Sequence, residues 1–224
     1  MEIQTKITNF YKKRTDETNQ KILKELKPHY KICLLGNSMF ERFSYTEEGQ
    51  EAYNKFLSDK PIWNCGVGGD RLKHVLWRME ETRFPFDARS NQDWHIIILI
   101  GANDVEYCKN GLIQAEFKTY YERLIEDIYL GFGTTCTKIS LLAVYPRKID
   151  KKNFPTHKVL SYIDVMNFNI KQIADRHSTY ATYYDFTSDV KNSDGSVDWD
   201  NYVDDVHFSS MGYSKFAQRL TSIM

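Results

Sequence analysis

The stretch His95–Ile100, with the sequence HIIILI, decides the fold. It is filled with β-branched residues and followed by Gly101, which is typical of a buried strand. Other short apolar runs lie before and after it, and stretches with helical periodicity separate them. The predicted strands are 31–35, 61–64, 95–100, 139–144 and 180–185, and the predicted helices are 47–57, 71–81, 117–130, 158–177 and 210–223.

Strands and helices therefore alternate about five times along the chain. Continuously apolar strands joined by helices indicate a mainly parallel sheet with both faces covered and right-handed crossovers. We expect an α/β protein, a three-layer α/β/α sandwich around a mainly parallel five-stranded sheet. Residues 1–224 are predicted to form a single domain, in which residues 1–29 are an N-terminal helical extension that Pro28 ends.

Composition and charge exclude several classes of protein. The 224 residues carry 30 basic and 30 acidic side chains, and this balance argues against a general nucleic-acid binder. The aliphatic run Ile96–Ile100 is far shorter than the ~20 residues of a membrane span, so we expect no integral membrane association. The N-terminus lacks the apolar segment of a signal peptide, and a cytoplasmic location is expected. The four cysteines show no zinc spacing and are expected to be free thiols.

Residues able to do chemistry follow the first three predicted strands. Ser38 comes after the first, a cluster of glycines that includes Gly69 after the second, and Asn103 after the third. The carboxyl ends of parallel strands meet at one edge of a sheet, so these residues are expected to converge. Each has a simpler interpretation as well: a serine that caps a helix, a glycine turn or weak phosphate loop, and a turn-forming asparagine.

A fourth signal lies near the end of the chain, in Asp204-Asp205-Val206-His207. At this spacing the Asp204 carboxylate can accept a hydrogen bond from one imidazole nitrogen of His207, which leaves the other nitrogen to act as a base. The alternative is a surface pair that caps the last helix. No third ligand lies at a suitable spacing for a metal, and the remaining histidines are expected to be packing or surface residues.

Taken together, these residues supply what acyl transfer needs: a nucleophile, a base, a carboxylate that orients the base, and donors for an oxyanion. The four blocks in this order resemble the SGNH hydrolase superfamily, also called GDSL esterases/lipases. Residues 64–81 and 207–213 are especially similar to the catalytic subunits of intracellular platelet-activating-factor acetylhydrolase. The resemblance covers residues 32–223.

The resemblance implies a flavodoxin-like sheet and a role for each residue. Ser38 would be the nucleophile, His207 the base and Asp204 its orienting carboxylate. The oxyanion hole would consist of the backbone N–H groups of Ser38 and Gly69 and the side chain of Asn103. One position departs from the family pattern, because Asn37 stands where Gly-Asp-Ser has its aspartate.

The implied activity is that of a serine esterase that hydrolyses a small acyl ester, acetyl being favoured, through an acyl-enzyme. The substrate would be an acetylated sugar or a lipid-like ester, no metal or organic cofactor is needed, and a homodimer is implied by similarity. Three alternatives remain: a lysophospholipase or lipase, an acyltransferase using the same serine, and a non-catalytic carbohydrate- or partner-binding module. The basic run 147–152 is expected to be solvated surface, and apolar residues near the motifs are expected to be core: Phe40, Phe43, Trp77 and Phe208.

Overall fold

The computed structural model describes residues 17–18, 20–27, 29–81, 93–105, 111–132, 138–149 and 155–224. These residues contain one five-stranded parallel sheet with the order β2-β1-β3-β4-β5. The strands are β1 (Ile32–Gly36), β2 (Ile62–Gly66), β3 (His95–Leu99), β4 (Lys138–Leu142) and β5 (Ala181–Tyr184). The helices are α1 (Ser38–Glu41), α2 (Glu47–Phe56), α3 (Leu72–Glu81), α4 (Gly111–Phe132), α5 (Thr156–Arg176) and α6 (Ser210–Thr221).

The register of the three neighbouring strands aligns their carboxyl ends. Gly36, the last residue of β1, pairs with Gly66 at the end of β2 and with Leu99 at the end of β3. The segments that leave these three strands therefore start from one edge of the sheet, as parallel topology requires.

Among the described residues the hydrophobic core has two parts, one on each face of the sheet, because side chains alternate along each strand. Cys33 and Leu35 of β1 pack into the part covered by α3, α4 and α5. Ile32 and Leu34 pack into the other part, which is covered by α1, α2 and α6. The second part contains five rings whose centroids lie 5.3–5.8 Å apart in their closest pairs, and which we call the aromatic cluster: Phe40, Phe43, Phe208, Tyr213 and Phe216.

The predicted fold class is confirmed, and the strand limits agree to within two residues. Helix α4 begins at Gly111, six positions before the predicted start at residue 117. Phe40, Phe43, Trp77 and Phe208 are buried, as expected for core residues. None of the helices in the described ranges is long and apolar enough to cross a membrane.

Two expectations fall partly outside the described residues. Residues 20–25 are helical, and the carbonyl oxygen of Ile22 accepts a hydrogen bond from Trp63 Nε1 at 3.0 Å. Residues 1–16 lie outside the described ranges, so the extension over residues 1–29 and the single domain stay predictions. Cys33 and Cys65 are free and buried, whereas Cys108 and Cys136 also lie outside those ranges.

Candidate active site

Ser38 lies in a tight turn between β1 and α1. Asn37 precedes it and caps α1, because its Oδ1 accepts a hydrogen bond from the Met39 N–H at 3.0 Å. The N-cap is therefore Asn37, and the simpler interpretation of Ser38 as the capping serine is wrong. An amide oxygen makes the same cap that a carboxylate oxygen would make, so Asn37 preserves this turn without the charge.

The structure brings Ser38, His207 and Asp204 into one hydrogen-bonded chain. Ser38 Oγ lies 2.9 Å from His207 Nε2, and His207 Nδ1 lies 2.7 Å from Asp204 Oδ2. Ser38 is half-buried, and the His207 side chain is 22% exposed, so both remain accessible to a small molecule. Because a carboxylate oxygen accepts from Nδ1–H, Nε2 is the nitrogen left to accept from the serine hydroxyl.

The loop that carries His207 is held by its own backbone. Val203 N–H donates to the His207 carbonyl at 2.9 Å, and Tyr202 and Phe208 form an antiparallel bridge. Asp204 Oδ1 accepts from the N–H groups of Val206 at 2.7 Å and His207 at 2.6 Å. Helix α6 is capped by Ser209, so the interpretation of the Asp204–His207 pair as a helix cap is wrong.

Two opposing effects set the pKa of Asp204. Partial burial alone would raise it, but the hydrogen bonds from the His207 side chain and from the backbone N–H groups outweigh burial and lower it below its ordinary value. Arg42 Nη1 lies 3.7 Å from Asp204 Oδ2 and adds a nearby positive charge. The carboxylate therefore stays ionised and can hold one tautomer of His207.

The loop after β2 packs against the turn that carries Ser38. Val67 N–H donates to the Gly36 carbonyl at 3.0 Å. A Cβ at Gly66 would lie 2.9 Å from the Asn37 carbonyl oxygen and 2.7 Å from Phe40 Cβ, so only glycine permits this close approach. Gly69, with φ of +77°, presents its N–H in the same loop, and that N–H donates to no group in the described part of the chain.

Asn103 meets this loop from β3. Its Nδ2 donates to the Asp70 carbonyl oxygen at 2.9 Å, which leaves the second Nδ2 hydrogen for another acceptor. Ser38 is the first residue of α1, where a backbone N–H has no acceptor within the helix. The structure thus brings Asn103 against the residue after Gly69, and it gives Ser38, Gly69 and Asn103 each a donor that can serve a ligand.

A buried ion pair lies beneath the loop, and the sequence alone did not single it out. Arg78 Nη2 is 3.0 Å from Asp70 Oδ2, with the two side chains 0% and 4% exposed. Arg78 also donates to the carbonyl oxygens of Cys65 at 3.1 Å and Gly36 at 3.4 Å. One guanidinium therefore ties the ends of β1 and β2 to the residue that follows Gly69.

Residues 150–152 lie outside the described ranges, and Ile149 is buried. The expectation that residues 147–152 are solvated surface is wrong for Arg147 as well. Its side chain is buried, and Nη1 donates to the Ala102 carbonyl at 2.9 Å and to Asn103 Oδ1 at 3.1 Å. Its Nε donates to the Lys148 carbonyl at 3.2 Å. Several oxygen acceptors compensate its charge, which permits burial. Its place just after the fourth strand, at the edge where the other candidates lie, was the signal available in the sequence.

Within the described ranges, no group of three or more His, Cys, Asp or Glu side chains is arranged to hold a metal ion.

A further carboxyl group, that of Asp104, lies next to Asn103. It belongs neither to the hydrogen-bonded chain of Ser38, His207 and Asp204 nor to the buried ion pair. Asp104 accepts from the Leu72 N–H at 3.1 Å and so caps α3, and its burial raises the pKa to about 7.

The chain is similar to known proteins in sequence and in fold. A family model described as the GDSL-like Lipase/Acylhydrolase family matches residues 34–215. The chain is 21% identical over 193 residues to platelet-activating factor acetylhydrolase IB subunit alpha2 of Rattus norvegicus, covering 86% of this chain and 75% of that protein.

Two solved structures share the fold. A GDSL-like lipase from Bacteroides thetaiotaomicron superposes with a TM-score of 0.70 at 15% identity, covering 95% of this chain and 96% of that one. A catalytic mutant of an acetylxylan esterase from Geobacillus stearothermophilus superposes with a TM-score of 0.57 at 15% identity, covering 88% and 95% of the two chains.

Proposed function

Because the chain belongs to the GDSL-like lipase/acylhydrolase family and is therefore a carboxylic ester hydrolase, we propose that it hydrolyses a small acyl ester through an acyl-enzyme on Ser38, with acetyl as the favoured acyl group. The observation that carries the proposal is the chain of contacts from Ser38 Oγ to His207 Nε2 at 2.9 Å and from His207 Nδ1 to Asp204 Oδ2 at 2.7 Å.

In the first half of the reaction, Ser38 Oγ attacks the ester carbonyl carbon while His207 Nε2 takes the hydroxyl proton. Asp204 stabilises the imidazolium that forms. The N–H groups of Ser38 and Gly69 and the Asn103 amide donate to the oxyanion of the tetrahedral intermediate. The carbon–oxygen bond to the alcohol then breaks, and His207 gives its proton to the leaving alkoxide.

In the second half, His207 takes a proton from water, and the resulting hydroxide attacks the acyl-enzyme carbonyl. The second tetrahedral intermediate uses the same three donors. When it breaks down, Ser38 recovers its proton from His207 and the carboxylic acid leaves. The net reaction consumes one ester and one water and produces one acid and one alcohol.

Two arguments support a short acyl group. The apolar side chains next to Ser38 and His207 are committed to the core, with Phe40, Phe43 and Phe208 only 0–2% exposed, so they are not available to line a groove for a long chain. Similar proteins include enzymes named as an acetylhydrolase and as an acetylxylan esterase. The substrate that carries this acyl group would be an acetylated sugar or a lipid-like ester.

The test compares p-nitrophenyl acetate with the butyrate and octanoate esters, using the unsubstituted chain and Ser38→Ala. Ser58→Ala is a matched control, because the Ser58 hydroxyl is exposed and donates to the Asn54 carbonyl. We expect turnover of the acetate ester, its loss in Ser38→Ala, and no change in Ser58→Ala. A fluorophosphonate should label Ser38, as shown by mass spectrometry of the modified peptide.

The alternatives predict different outcomes. Preference for octanoate would indicate a lipase or lysophospholipase, and diversion of the acyl group to an added alcohol would indicate an acyltransferase. The absence of both turnover and labelling would indicate a binding module. Unchanged turnover by Ser38→Ala would make the nucleophile assignment wrong. The homodimer and the cytoplasmic location stay predictions, the former to be tested by light scattering.

A further inference from the structure

The Asn103 amide has a partner at each end, and together they fix its orientation. Arg147 Nη1 donates to Oδ1 at 3.1 Å, and Nδ2 donates to the Asp70 carbonyl at 2.9 Å. If the amide were flipped, its NH₂ would face the guanidinium donor and its oxygen would face a carbonyl oxygen. Both contacts would become repulsive, so only one orientation is stable.

We propose that Arg147 is a positioning residue for the reaction: it holds the Asn103 amide so that the free Nδ2 hydrogen points at the oxyanion, and it strengthens that donor. The inference rests on the proposed function, because it assigns Asn103 the role of an oxyanion donor. Arg147 itself acts through Asn103.

The contact strengthens the donor for an electrostatic reason. A hydrogen bond from a charged guanidinium to the amide oxygen draws electron density from the amide nitrogen, and hydrogen bonds in such a chain reinforce each other. Arg147 is only 8% exposed, so water screens its charge poorly at this position. A stronger donor stabilises a full negative charge more than it stabilises a neutral carbonyl oxygen, so the effect is expected in the transition state.

The neighbouring residue connects Arg147 to the loop that carries the base. Lys148 N–H donates to the Asp205 carbonyl at 2.8 Å, and Asp205 lies between Asp204 and His207. Lys148 Nζ lies 3.7 Å from Asp205 Oδ1 and 4.2 Å from the centre of the Trp199 ring. One short segment after β4 therefore holds the oxyanion side through Arg147 and the base side through Lys148.

The other contacts of Arg147 explain why it can be held still. The carbonyl oxygens of Ala102 and Lys148 accept from Nη1 and Nε, so two backbone groups fix the guanidinium. The contact with Asn103 Oδ1 acts on a side chain of the proposed site.

The test is a double-mutant cycle on p-nitrophenyl acetate with Arg147→Met, Asn103→Ala and the double variant. We expect Arg147→Met to lower kcat by about 10–100-fold with KM changed by less than about threefold, because the lost interaction acts in the transition state. In the Asn103→Ala background, the same substitution should lower kcat by less than about threefold. Arg147→Lys should recover part of the loss, since one ammonium can still donate to both oxygens that Nη1 serves.

Arg176→Met is the matched control, because Arg176 forms an exposed ion pair with Glu122 at 2.7 Å. Its kcat should be unchanged. The proposal is overturned if Arg147→Met leaves kcat intact, or if it lowers kcat equally in both backgrounds, as loss of general packing would. If circular dichroism shows that Arg147→Met does not fold, the cycle is run with Arg147→Gln, which also lacks the charge, and is judged by the same criterion.

Ser38→Ala separates this inference from the function on which it rests. Loss of turnover in Ser38→Ala together with an additive Arg147 effect would overturn the role of Arg147 alone. Full turnover by Ser38→Ala would overturn both.

Discussion

Replacement of Arg78 by methionine tests what holds the loop after β2 in place. The substitution keeps an unbranched apolar stem but removes the guanidinium, whose charge lies 3.0 Å from Asp70 Oδ2. It also removes the donors to the carbonyl oxygens of Cys65 and Gly36. The Asp70 carboxylate, which is 4% exposed in the unsubstituted chain, then loses its guanidinium neighbour, although His74 Nδ1 still lies 3.8 Å from Asp70 Oδ1.

The expected loss in the free energy of unfolding is about 3–5 kcal/mol, the cost of removing one partner of a buried ion pair. Coulomb attraction at 3.0 Å with an effective dielectric constant of 20 is slightly larger, about 5.5 kcal/mol. For a chain of 224 residues, this loss corresponds to a fall in the unfolding midpoint of roughly 6–20 °C.

Urea unfolding followed by tryptophan fluorescence measures the loss. Arg123→Met is the matched control, because Arg123 Nε lies 3.3 Å from Asp127 Oδ2 but the two side chains are 35% and 38% exposed. Such a surface pair is worth about 0.3–0.5 kcal/mol. Adding Asp70→Asn to Arg78→Met should restore part of the stability by removing the buried charge. If Arg78→Met lies within about 1 kcal/mol of the unsubstituted chain, the reasoning about this buried pair is wrong.

Two buried groups should give pH dependences of opposite sign. Burial, helped by the charge of Lys138, lowers the pKa of His95 from 6.5 to about 4. As the pH falls, the unfolded chain is protonated at His95 before the folded chain is. The unfolding free energy should therefore fall between about pH 6.5 and pH 4, and this fall should be less steep in His95→Gln than in the unsubstituted chain. The raised pKa of Asp104, about 7, means that the folded chain takes up the proton first. The stability that protonated Asp104 contributes should therefore be lost as the pH rises from about 4 to 7. The difference in unfolding free energy between Asp104→Asn and the unsubstituted chain should shift in favour of the variant between pH 4 and pH 8. Urea midpoints of both proteins at the two pH values measure this shift.

The strands could be predicted because their signal is local. A run such as His95–Ile100 buries both faces in any parallel sheet, so its apolar residues identify it without knowledge of its neighbours. Helix limits were less accurate where periodicity weakens, as at the start of α4. Helix α1 was not predicted at all, because four residues are too few to show a helical period.

The candidate residues could be predicted for a different reason. Ser38, Asn103 and His207 each stand within four residues of the end of a strand or the start of a helix, so the topology alone places them at one edge of the sheet. Arg147 stands at the same edge but was misjudged, because a basic run resembles solvated surface. Its burial depends on oxygen acceptors 44 and 45 residues earlier in the chain, and sequence reasoning has no access to such pairings.

The aromatic cluster couples the two halves of the site. Phe208 follows His207 directly, Phe40 lies in the helix that begins with Ser38, and both rings contact Phe216. Tyr213 of α6 also donates a hydrogen bond to the Met39 carbonyl. Segments 169 residues apart in sequence thus belong to one cooperative unit, and their amides should share a single opening free energy in hydrogen exchange. On heating, Ser38 and His207 should lose their positions in the same step, so activity and near-ultraviolet circular dichroism should fall together.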